Sequence, residues 1–199
     1  MIPAARRSQN RPRGTLELKS ERVTRDVMRK MLCEKLIPAI QDKWPDEDYI
    51  RTIFIQQDNA KPHVHPTDQI FRDVVQQTDL DIRLLQQPPN SPETNVLDLS
   101  IFNSMQSLTD RQAPKDIKEL VEGVEEEFQN YEPGKLFRSF LTLQAVLVEI
   151  MKDKGGNSFK LPHLHKDRRE NEGRLPIALS CDTQLVADTM ALIEGHSVL

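Results

Sequence analysis

Cysteine is scarce in this chain: Cys33 and Cys181 are the only two among 199 residues, and they are far apart. Two lone thiols argue against a disulfide framework and a cysteine-built zinc site, and they fit a reducing compartment. Aromatic residues make up only 5%, with a single tryptophan, Trp44, beside Pro45. It reads as a packing anchor rather than a platform for stacking bases. No apolar run reaches the roughly 18 residues of a membrane span. The opening MIPAARRSQNRPRG is basic but has no apolar stretch behind it, so no secretory signal is expected. Internal repeats and low-complexity tracts are also lacking. A basic excess is missing too. The net charge of −4 is a poor electrostatic footprint for a free-standing nucleic-acid binder.

Hydrophobic residues at 37% and charged residues at 29% allow a core, though not a generous one. The length suits one domain, or most of one. Residues 1–22 are polar and expected to be disordered. Their arginines, Arg6, Arg7, Arg11 and Arg13, read either as a phosphate-contacting or nuclear-import cluster or, preferably, as a disordered remnant. From Val23 to Lys43, Val27, Met31, Leu32, Leu36, Ile37 and Ile40 recur at helical spacing, and Pro38 should kink or divide the helix.

The centre of the chain is Ile53–His63, IFIQQDNAKPH. A short β-branched and aromatic run followed by a polar, Pro-containing segment reads as a buried strand, with Asp58 at its carboxyl end. A second such run, Ile82–Leu85, leads into a Pro-rich loop and then a helix from Asn95 to Leu108 carrying Asp98 in its first turn. Between the strands, residues 66–77 read as a helix facing inward with Ile70, Phe71, Val74 and Val75. Strand, helix, strand over about thirty residues implies a parallel pair. Two carboxylates on rigid elements suit Mg²⁺ or Mn²⁺. The plainer alternative is that Asp58 caps a turn and Asp98 a helix.

Further on, Leu97, Ile101, Phe102 and Met105 are expected to point inward. A helix follows Pro114 and carries the solvated run Glu125–Glu127. Another spans residues 135–153, facing inward with Leu136, Phe140, Leu143, Val146, Leu147 and Ile150, and Asp182 caps a last one. The pairs His63-x-His65 and His163-x-His165 raise a rival reading as a zinc module, weakened by their loop context and distance in sequence.

QQDNAKPH at 56–63 and PPNSPETNVLDL at 88–99 resemble motifs of mariner-like transposases, of the Tc1/mariner group. Thirty-nine residues lie between Asp58 and Asp98, which resembles the plant-type branch. The likeness continues through LFRSFLTLQAVLVEIMKDKGGNSFKLPHLHK and GRLP, covering most of the chain from about Arg11. It implies an α/β fold: a truncated ribonuclease-H-like domain with two remaining parallel strands packed by helices. It also implies two-metal phosphoryl transfer on DNA at transposon ends, nuclear localisation, Asp58 and Asp98 as catalytic metal ligands, and Asn59, His63 and Asn95 as neighbours of the carboxylates or DNA contacts. The family's first aspartate lies on an upstream strand. None of Glu17, Glu21, Asp26, Glu34, Asp42, Asp46, Glu47 and Asp48 sits in an apolar strand-like run, so that aspartate is expected to be absent.

The expected organisation is a disordered basic remnant at 1–22, a partial catalytic domain at 23–156, and an extension at 157–199. Such a fragment is expected to bind metal weakly if at all, to be inactive alone, and to self-associate through an exposed strand edge, with no membrane partner. The alternative is a non-catalytic protein, derived from a transposon, that binds DNA or transposase.

Overall fold

The computed structural model describes residues 2–3, 5–7, 9, 12–17, 20–48 and 50–196. Arg11 of the basic cluster lies outside these residues. The described chain falls into two compact units, Met1–Pro89 and Asn90–Leu199.

The first unit opens with two two-residue strands, β1 (Ile2–Pro3) and β2 (Leu16–Glu17), paired antiparallel. Helix α1 (Arg25–Met31) begins at Thr24, whose hydroxyl accepts the Val27 N–H. It runs through a π turn, Leu32–Leu36, into α2 (Ile37–Lys43). The π turn explains where Pro38 is tolerated. Proline has no N–H to donate. Immediately before it, the Ile37 N–H reaches back five residues to the Leu32 carbonyl, where a regular helix would use that of Cys33. The wide turn also re-phases the apolar face. Leu32 and Ile37, five residues apart, are both buried, while Met31 and Leu36, expected inside, are exposed.

Strand β3 (Ile53–Gln57) is followed by α3 (Gln69–Val75) and β4 (Ile82–Gln86). β3 and β4 pair parallel, Ile53 opposite Ile82 through Gln57 opposite Gln86, as the sequence spacing predicts. The fold is therefore α/β with a two-stranded parallel sheet. One face of that sheet is covered: Ile53, Ile82 and Leu84 pack with Leu32, Ile37, Val64, Phe71 and Leu80, with Trp44 against the cluster's edge. The other face is open, for Phe54 is 58% and Leu85 45% exposed. The runs thus alternate rather than being buried on both faces. Ile70 of α3 is exposed too, because the helix turns Phe71 alone fully into the core.

In the second unit a 3₁₀ turn, Pro92–Thr94, precedes a π turn, Leu97–Ile101, which leads into α4 (Phe102–Gln112). Here too the extra residue per turn advances the phase of the face by about 100°. Ile101 is buried, but Leu97 and Phe102, expected inside, are exposed. Helix α5 (Ile117–Gln129) starts at Asp116, which accepts the Glu119 N–H, and packs on α4. Glu125 and Glu126 are exposed, and Glu127 is partly buried and accepts from Gln112.

Helix α6 (Pro133–Lys152) packs on the 3₁₀ and π turns with Ser139, Leu141, Ala145 and Val146. Leu136, Phe140 and Leu147 lie outside this stripe and are exposed, against expectation. Of the residues expected inside, Val146 is fully buried, and the other buried positions fall on a different side of the helix from Leu136, Phe140 and Leu147. Lys154, at φ +52°, takes the left-handed capping position, and the Gly155 N–H after it donates to the Ile150 carbonyl, ending the helix. Short α7 (Lys166–Asn171) and α8 (Thr183–His196) complete the chain, the latter capped by Asp182, which accepts from Gln184.

Candidate functional site

Asp58 follows the last residue of β3 directly, at the carboxyl end of the sheet, where open α/β sheets place ligands. The loop after it is held from several directions. Gln57 and Gln86, opposite one another at the strand ends, both point their amides at the Val64 carbonyl. Val64 itself is completely buried. From α1, Arg25 donates to the carbonyls of Lys61 and His63, each at 3.2 Å. Asn59 donates to the Gln87 carbonyl at 2.7 Å, tying the loop after β3 to the chain leaving β4.

The Asp58 carboxylate is fixed by one oxygen. Its Oδ1 accepts the Ala60 N–H at 2.7 Å, and His63 Nδ1 lies 2.7 Å from both that oxygen and the Asp58 carbonyl. Among the described residues nothing donates to Oδ2. The carboxylate is half-exposed. Asp58, Asn59 and His63 thus form one cluster in the first unit.

A second cluster lies in the second unit. Asn95 accepts the Leu97 N–H with its Oδ1 and donates through Nδ2 to Asp98 Oδ2 at 2.9 Å. One side chain therefore both starts the π turn and aims the carboxylate. π turns inside helices are frequent at functional sites. Below the turn, Ser100 and Ser139 hydroxyls meet at 2.6 Å, and Ser139 also donates to the Lys135 carbonyl. Asp98 lines a cleft of about 340 Å³ with Glu93, Asn157 and Phe159.

Each carboxylate has one oxygen held by protein donors and one without a protein donor among the described residues. Hard oxygen donors of this kind fit Mg²⁺ or Mn²⁺, which typically take one or two carboxylates and keep other positions for water and phosphate. No group of three or more His, Cys, Asp or Glu side chains is placed to hold a metal among the described residues. The histidines are engaged otherwise: His65 Nδ1 pairs with the Thr67 hydroxyl, and His163 Nδ1 accepts the His165 N–H.

Several residues of these clusters went unmarked in the sequence. Arg25 lies 36 and 38 positions from the carbonyls it binds, so no local pattern exposes it. Gln57 and Gln86 carried a signal, a Gln-Gln pair ending each strand. Glu93 stands inside the motif that contains Asp98. No family model matches this chain, and no curated protein or solved structure matches it significantly.

Proposed function

We propose that this chain is part of the catalytic domain of a mariner-like transposase, with Asp58 and Asp98 as two of the three carboxylates of a ribonuclease-H-like site acting on DNA at transposon ends in the nucleus. The observation that carries the reading is the parallel, in-register pair β3–β4 with Asp58 immediately past the end of β3, in a chain whose residues 56–63 and 88–99 resemble that family's motifs. When bound, paired divalent ions would activate water or a 3′-hydroxyl and neutralise charge on the phosphate. His63 holds Asp58 in place and Asn95 holds Asp98. Such supporting partners of metal ligands typically contribute 10–100-fold to metal affinity. With no third acidic residue in a strand-like apolar run, the chain alone does not cleave DNA.

Calorimetric titration with Mn²⁺ tests this reading. Binding that weakens in both Asp58→Asn and Asp98→Asn is expected. Binding untouched by either change would remove both residues from the site. The open sheet face around Phe54 and Leu85 favours a second reading, a non-catalytic protein derived from a transposon that acts by binding a partner. Recovery of one defined partner, with no Mn²⁺ binding at the aspartates, would select it.

A further inference from the structure

The second unit holds a polar cleft that the catalytic reading leaves unused. It has a volume of about 390 Å³ and lies between the first half of α6 and residues 162–167. Lys135, Arg138, Lys166, Ser104, Tyr131 and Thr142 are among its lining residues. Lys166 is the central group. Its Nζ donates to the Arg138 carbonyl at 2.9 Å and to the Thr142 hydroxyl at 2.6 Å. An ammonium has three donors. The third is unused, and no carboxylate lies within ion-pair distance, among the described residues. Partial burial pushes Lys166 below its usual pKa and neighbouring Arg138 adds to this, while Asp167 opposes them. An anion in the cleft would offset the two lowering effects.

The surroundings are mixed in charge. Arg138 is occupied by Asp167 at 2.8 Å and by Glu170, and Lys135 reaches Glu132 at 3.4 Å. The hydroxyls of Ser104 and Tyr131 have no hydrogen-bond partner among the described residues. His165 lines this cleft and also an adjoining one of about 380 Å³, whose wall carries Arg168, Arg169, Glu172 and Arg174. Glu172 takes both Arg168 and Arg174, which leaves Arg169 without an ion pair among the described residues.

We propose that the two adjoining clefts are a phosphodiester-binding track for nucleic acid, with Lys166 and the Ser104 and Tyr131 hydroxyls on one phosphate and Arg169 on a neighbouring one. An ammonium beside hydroxyl donors suits a phosphate oxyanion. Two open clefts joined at one residue suit a repeating polyanion better than a single small anion. The choice of DNA as the polymer rests on the transposase reading.

The test is fluorescence anisotropy of a labelled DNA duplex with the full chain, over a range of salt concentrations. Lys166→Gln and Arg169→Glu should each weaken binding irrespective of sequence and lower the salt slope by about one. Arg169 is exposed on α7, so Arg169→Glu keeps the test valid should Lys166→Gln fail to fold. Lys118→Glu, an equal charge change on exposed α5, should leave affinity unchanged. Affinity and slope unaffected by Arg169→Glu would overturn the track. So would stabilisation by inorganic phosphate without any duplex binding, which assigns the cleft to a free anion. Mn²⁺ titration reads Asp58 and Asp98 separately. Duplex binding through the track without metal binding would sink the catalytic reading alone.

Discussion

Arg29 and Asp68 show how single side chains fix the candidate loop. Asp68 caps α3 by accepting the Phe71 N–H at 3.1 Å, and Arg29 of α1 grips both its oxygens, with contacts at 3.1, 3.1 and 2.8 Å. Bonding to Arg29 holds the Asp68 carboxyl below its usual pKa, against an opposing effect of burial. The same carboxylate adds to the burial that pushes the neighbouring Cys33 thiol up. An unfolded aspartate titrates near 3.9. A folded pKa below that value means the pair's stabilisation is complete above about pH 4 and disappears as pH falls through the folded value. Asp68→Asn should therefore lower the thermal midpoint at pH 7 and flatten its decline on acidification. Equal midpoints for variant and parent at neutral pH would refute this. Gln57 is a second such residue. Gln57→Leu leaves the buried Val64 carbonyl with only the longer 3.4 Å contact from Gln86. A loss of about 1–3 kcal/mol is expected for a buried acceptor deprived of its partner, read from the denaturant midpoint.

At the scale of elements, the two π turns matter most. Each displaces a helical face by one residue, and the second carries Asp98. Asn95 is the peg of that turn, through its bonds to Leu97 and Asp98. Asn95→Ala should cost about 1 kcal/mol, as the loss of a comparable helix cap does. It should also speed hydrogen exchange at the Leu97 amide, and unchanged exchange there would show the turn standing without it. These turns mark the limit of what the sequence reveals. The parallel pair β3–β4 was legible because short β-branched runs flanked a helical spacing. The position of Asp58 just past the end of β3 was legible because a polar, Pro-containing segment follows the short apolar run. Periodicity at 3.6 residues could not show Met31, Leu36, Leu97 and Phe102 on the outside, since a π turn leaves no residue-type signature besides Pro38 in one case. Nor could it show that α6 buries Leu141 and Ala145 in preference to Leu136 and Phe140, because apolar residues stand on more than one side of that helix and the packing against it decides. Arg25 was invisible for a different reason, as its partners are backbone carbonyls.

At the scale of the whole molecule, the exposed apolar surface of the first unit sets its behaviour in solution. Parallel sheets are ordinarily covered on both faces, and two strands alone are marginal without further packing. Here the helices cover the Ile53–Ile82–Leu84 face, while Phe54 and Leu85 remain in solvent on the other. A two-stranded sheet also has two edges, and an apolar strand edge invites pairing with another chain. The chain's net charge of −4 over 199 residues gives modest repulsion between copies. Self-association through β3 is the expected outcome, with the open face contributing buried apolar area. Light scattering on a size-exclusion column should show mass rising with concentration. Phe54→Lys places a charge on the open face without touching the buried one, since its neighbours Ile53 and Ile55 point the other way, and a strand lysine is a common natural block to edge pairing. The variant should run as a monomer with an unchanged thermal midpoint when dilute. A concentration-independent monomer for the parent chain would show that this face is not sticky, and oligomers that persist in Phe54→Lys would move the contact to another apolar surface, such as the row of Leu120, Val124 and Phe128 that α5 leaves exposed.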